Sequence, residues 1–239
     1  MREAGTLSAE GRVRRLPRGP HRLAREEVLA SQRGRMLQAM AHAVAAKGYP
    51  ATTVADVVGG AGVSRKTFYE HFRDKEECFL AAWDTGVEFL MVAMERATLE
   101  AEGGWRVRLR EGVRAYLQTL AAEPDFARTF LIEVLAAGPR ALDRRAEVHR
   151  RFAELLKALY ERSRMDNPEL DPLPDEVFAA TVGAVNELVS DRVRRGRTRE
   201  LPELEPVISY LELAFLAGHE QAAAELGEAG KRLLRGAGA

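Results

Sequence analysis

The chain lacks long apolar runs. No stretch of eighteen apolar residues is free of charge, so nothing in it reads as a membrane span. Residues 1–30 have no apolar core of the kind a secretory signal needs. Cys78 is the only cysteine, which excludes an intrachain disulfide and points to a reduced, cytoplasmic setting. Glycine and proline together number 30 of 239 residues, too few and too scattered for a fibrous or wholly disordered chain. No His/Cys set has metal-ligand spacing and no glycine-rich phosphate loop occurs. No enzyme chemistry, cofactor or metal is therefore called for. An alternating strand pattern is missing as well.

What is present is helical periodicity with an uneven charge. The net charge is zero. Residues 1–75 nevertheless carry 14 Lys/Arg against 7 Asp/Glu, while residues 76–239 carry 22 against 29. A basic front on an acidic body predicts a polyanionic partner for the front alone. Residues 1–30 read as a flexible basic arm interrupted by Pro17, Gly19 and Pro20. Two readings stay open for it: an inert tail, or an arm that adds phosphate or minor-groove contacts.

Residues 31–74 read as three helices. Met36, Met40 and Val44 form one apolar face, and Lys47-Gly48 closes that first helix. Thr52 or Thr53 can cap the second helix, and Asp56 completes a capping box with Thr53. Gly59, Gly60 and Gly62 mark a turn, and the double glycine costs the helix end about 1 kcal/mol. Ser64 caps a third helix ending near His71, and Asp74 a fourth starting near Lys75.

Two short helices around a glycine-containing turn form a helix-turn-helix, whose second helix faces DNA. Phe68 and Phe72, four apart, are the expected core anchors. Arg65 or Lys66 is expected to donate to guanine, and Thr67 to meet a thymine methyl or a phosphate. Tyr69, His71, Lys75 and Thr53 are candidates for backbone oxygens, and Ser64 completes the DNA-binding set. The amides opening this helix can also approach a phosphate.

The remaining residues, 75–239, read as further helices at about 75–100, 105–121, 124–136, 139–165, 174–195 and 203–226. The fold class expected is all-α with about nine helices. Candidate lining for an apolar cavity comprises Trp83, Val87, Leu90, Met94, Leu109, Val113, Tyr116, Phe126, Phe130, Phe152, Leu156 and Asn186. His149 and Asn186 are the candidate polar contacts of that cavity, although the charged run around His149 reads rather as a solvated face. Val182, Val185, Val189, Leu211, Phe215 and Gly218 form apolar or small-residue stripes, which serve either intrachain core or a second chain. Cys78 reads as a buried structural thiol.

The pair Thr52-Thr53, the turn Ala61-Gly62-Val63-Ser64, Thr67-Phe68-Tyr69, His71-Phe72 and Lys75-Glu76 together resemble the DNA-binding signature of the tetracycline-repressor (TetR) family. The resemblance covers Arg33 to Leu80. Val57-Val58-Gly59-Gly60 departs from the usual isoleucine-alanine style. The resemblance implies a homodimeric, ligand-responsive regulator, a repressor on a palindromic operator of double-stranded DNA. It implies a helical ligand-binding and dimerisation domain over 75–239, with the stripes above forming a four-helix interface. An effector, largely apolar and unidentified, would complete the list of partners. Two alternatives remain at this level: a helical protein-interaction module, and an enzyme whose site assembles only in the fold.

Overall fold

The computed structural model describes residues 25–228, and side chains from Ala30's neighbour Leu29 onward. The greater part of the expected basic arm, residues 1–24, lies outside the described residues. The described residues form ten α-helices, two 3-10 segments and no strand. They divide into two compact units between Thr85 and Gly86.

The first unit holds α1 (Arg25–Lys47), α2 (Val54–Ala61), α3 (Arg65–His71) and the opening turns of α4 (Lys75–Glu100). Helix α1 starts at Arg25, inside the stretch expected to be arm, because no glycine or proline interrupts residues 25–33. Met36, Met40 and Val44 of α1 are fully buried with Val57, Phe68, Cys78 and Phe79. A large apolar side chain buried this way contributes about 1.5–3 kcal/mol. Tyr49 meets Phe79 edge-on at 4.8 Å. These contacts place the opening of α4 in the first unit, so the unit boundary falls within α4 and not at its start.

Local capping fixes the helix ends. Thr53 Oγ1 accepts from the Asp56 amide, and Asp56 Oδ2 accepts from the Thr53 amide at 2.8 Å. Of the two threonines offered by the sequence, Thr53 is the cap. Thr52 is buried and donates to the Gly48 carbonyl at 2.8 Å. Gly62 ends α2 with φ +64°, a left-handed conformation that side chains resist. The Asp74 carboxylate accepts from the Glu77 amide at 2.8 Å and so starts α4.

The second unit holds the rest of α4, α5 (Trp105–Ala122), α6 (Pro124–Leu131), α7 (Pro139–Asp166), α8 (Asp175–Arg194), α9 (Glu205–Ala217) and α10 (His219–Leu226). The 3-10 segments Glu133–Ala136 and Thr198–Leu204 precede α7 and α9. One core cluster joins Trp105, Tyr160 and Phe178 to Leu213 and Leu216. Tyr160 donates its hydroxyl to the Asp171 carbonyl at 2.8 Å, which satisfies its one polar atom inside that cluster. Gly86 lies under the Phe126 ring, so closely that an added Cβ would sit 2.0 Å from the ring. Any side chain there would displace Phe126 and its stacked neighbour Phe130.

The expected single helix at 203–226 is two. Gly218, with φ +90°, breaks the chain between α9 and α10. A residue expected to give close packing to a helical stripe is instead an exposed corner. This break accounts for ten helices where the periodicity suggested about nine.

Candidate DNA-binding surface and ligand cavity

At 100° per residue, positions 65, 69, 66 and 70 span an arc of about 140° on α3. Arg65, Lys66, Tyr69 and Glu70 are all exposed, Tyr69 to 58%. Phe68 and Phe72 point the other way into the core, their rings 5.5 Å apart. Among the described residues, neither Arg65 nor Lys66 has an ion pair or hydrogen bond. That contrasts with the rest of the charged surface, where Arg73, Arg96, Arg150 and Arg195 each hold a carboxylate.

The remaining candidates on this unit are more committed. Ser64 Oγ accepts from the Thr67 amide at 3.0 Å and shares a 2.9 Å bond with the Thr67 hydroxyl. Thr53 Oγ1 donates to Asp56 Oδ2 at 2.6 Å, and Lys47 pairs with the same carboxylate oxygen. The Lys47 and Thr53 bonds hold the Asp56 carboxyl well below the usual carboxylate range. Lys75 lies over the Tyr49 ring at 4.1 Å and donates to the Tyr49 carbonyl at 2.9 Å. Burial lowers its pKa, and two of its three protons are left for an outside acceptor.

His71 departs from expectation. Its Nε2 is closed off from solvent with no hydrogen-bond partner, so this nitrogen cannot reach a phosphate. Burial, then the nearby Arg33 charge, lowers its pKa and favours the neutral ring. Glu70 was missed by sequence reasoning, although its place in the outward arc of α3 follows from helical spacing alone. Its carboxylate would accept from a cytosine amino group and repel a phosphate.

The second unit contains a cavity of about 210 Å³. Met94, Leu109, Val113, Tyr116, Phe130, Phe152, Leu156 and Asn186 line it, as the sequence suggested. Trp83, Val87, Leu90 and Phe126 do not. Trp83 and Leu90 are sealed in core packing, and Phe126 is spent on Gly86 and Phe130. Val87, also buried, faces core. The wall is instead completed by residues assigned elsewhere. Val182 and Val185, expected at a dimer surface, line the cavity. Val189 is fully buried, so it too is unavailable to a second chain.

Polar groups in the wall are few. His149 lines the cavity and does not belong to a solvated face. It is hydrogen-bonded to Asn186, and burial holds its pKa down. Glu95 and Thr98 on α4 and Glu212 on α9 complete the polar set with Tyr116. Burial pushes the Glu212 carboxyl up to about 8. Burial, reinforced by Glu212, raises the Tyr116 hydroxyl. Leu99 and Leu155 line the cavity and are exposed, so they stand at its opening.

Among the described residues no group of three His, Cys, Asp or Glu could hold a metal. No helix there is long and apolar enough to cross a membrane. Cys78 is fully buried and its thiol is pushed up to about 12 by that burial, which leaves it unreactive. The arginines of residues 192–197 are taken up in ion pairs with Glu187, Asp191, Glu200 and Glu203.

Residues 37–82 match the family model described as bacterial regulatory proteins, tetR family. Over these residues the chain is similar to the DNA-binding domain of that family. The match covers α2, α3 and the cap residues that set them. The chain is 31% identical over 109 residues to the HTH-type transcriptional activator FasR of Mycolicibacterium smegmatis. That alignment covers 46% of this chain and 49% of the relative, so the chain spans about half the length of the curated relative. Among solved structures, the fatty acid degradation regulator FadR from Bacillus halodurans superposes with TM-score 0.70 at 20% identity. It covers 76% of this chain and 94% of that one. The regulator FadR from Bacillus subtilis, in complex with stearoyl-CoA, gives TM-score 0.66 at 17% identity, covering 77% and 98%. At these identities the likeness is one of fold: a helix-turn-helix followed by a helical domain.

Proposed function

We propose that the chain is a ligand-responsive transcriptional regulator that binds double-stranded DNA through α3 as a homodimer. The observation that carries this reading is the outward face of α3, with two unpaired cations and an exposed tyrosine inside the domain matched to the family. Arg65 and Lys66 read bases or hold phosphates there, and Tyr69 and Lys75 add backbone contacts. Two such helices, related by a two-fold axis, would enter successive major grooves of a palindromic operator about 34 Å apart.

The effector is a largely apolar small molecule held in the cavity of the second unit. The almost wholly carbon wall supports this, and the names of the Bacillus neighbours favour an acyl chain as its apolar part. We assign the outcome of DNA binding as repression, relieved when the effector binds. The FasR relative is named an activator, so the sense of regulation needs its own readout. The place of action is the cytoplasm, where the DNA is.

The test is titration of the protein onto a fragment of its own promoter region, followed by run-off transcription from that fragment. Tight, salt-dependent binding and fewer transcripts are expected. Each phosphate contact contributes about 0.9 to the slope of log affinity against log salt. A folded protein with no affinity for the fragment at low salt overturns the reading. More transcripts on binding would replace repression with activation and leave the rest standing.

A further inference from the structure

The cavity wall contains one buried polar atom that no other group among the described residues satisfies. Glu212 on α9 is 9% exposed, and its Oε2 has no hydrogen-bond partner. Other carboxylates with little exposure are matched: Glu133 pairs with Arg128 at 3.1 Å, and Glu205 accepts from Arg110 and Ser209. No lysine or arginine lines the cavity.

Two arginines of the elements packed on α9 are engaged elsewhere. Arg110 of α5 is held by Glu205 and by Glu225 of α10. Arg192 of α8 is held by Glu200 and Glu203 of the preceding 3-10 segment. From the other walls, His149 bonds to Asn186, and Glu95 is at an exposed position. Tyr116 is the remaining titratable group facing Glu212, and it too stays neutral. Glu212 accordingly keeps its proton at neutral pH. A protonated carboxyl has one O–H to donate. A buried donor left without an acceptor is unfavourable, so a ligand that supplies one gains affinity.

We propose that Glu212 donates this hydrogen bond to the carbonyl oxygen of a neutral acyl derivative, an ester, thioester or amide, and that the cavity thereby favours it over the carboxylate of the same chain. The proposal rests on the reading of the cavity as the effector site. A free carboxylate would bring a charge into a wall that has no cation to meet it. An ammonium group would require Glu212 to ionise among carbon atoms, and the desolvation of both ions opposes that.

Isothermal titration of the full chain at pH 7 with methyl decanoate, decanoate and decylammonium tests this, using the wild type, E212Q and E212L. The wild type is expected to bind the ester at least tenfold more tightly than the carboxylate. E212Q should keep that preference, because its amide still donates. E212L should weaken the ester about tenfold and bring the two within about twofold of each other. A mere preference for the more apolar compound would instead grow in E212L, whose cavity is the more apolar. Unchanged or larger ester preference in E212L overturns the role of Glu212 while leaving the effector site in place, as does tightest binding of decylammonium. Failure of all three to bind a protein that still binds DNA overturns the effector-site reading for acyl compounds, and the proposal with it.

Discussion

Replacing Arg65 and Lys66 together by alanine is expected to lower affinity for promoter DNA about a hundredfold or more, with no loss of folding stability. Both side chains are exposed and have no partner within the described residues, so their removal breaks no intramolecular bond. Alanine also favours the helix they sit on. A bidentate contact with a base is worth about 1–3 kcal/mol of discrimination, and each 1.4 kcal/mol is tenfold. Two lost contacts reach the stated range. Fluorescence anisotropy against salt, beside a thermal melt, separates the causes. If both residues only hold phosphates, specific and unrelated DNA weaken alike and the salt slope falls by about 2. If either reads a base, the promoter fragment loses more than unrelated DNA does. Unchanged affinity with an unchanged melt would remove α3 as the reading helix.

The second large effect concerns assembly. Leu188 on α8 and Phe215 on α9 are exposed to 36% and 47%. They lie on the same two helices that supply Val185 and Ile208 to the cavity wall. L188E combined with F215E is expected to convert the proposed homodimer to monomer at micromolar concentration, read by light scattering, with helical content retained. In a two-fold interface each introduced carboxylate appears twice, so burial and like-charge repulsion act on both copies. DNA affinity should fall with it, because a monomer reaches one half-site. A double variant that stays dimeric would move the interface away from α8 and α9.

The exposed side of α3 was legible in the sequence because its two faces differ in kind. Phenylalanines four apart declare the buried side, and Arg65 and Lys66 fall outside it, facing solvent. The caps at Thr53, Ser64 and Asp74 were legible for a similar reason: a short polar side chain three residues before an amide has one local geometry that satisfies both. The second unit gave less. On a helix with apolar residues on more than one side, spacing does not say which side meets a cavity, a core or another chain. Val182, Val185 and Val189 went to the wrong surface on that account, and Trp83, Leu90 and Phe126 to the wrong interior. The charged neighbours of His149 weighed its reading toward a solvated face, and the apolar neighbours of Glu212 hid it, because cavity walls are assembled from five or more helices. Gly218 read as a small packing residue, since only the backbone shows that its φ is positive.

The sealed sulfur of Cys78 has a practical corollary. A maleimide or an electrophilic drug has no route to it while α1 to α4 stay packed, and burial keeps it from forming the thiolate such reagents attack. The native chain therefore behaves as thiol-free, and a cysteine placed on an exposed residue can carry a dye without first removing the resident one. Alkylation at position 78 becomes a clock for the opening of the N-terminal unit.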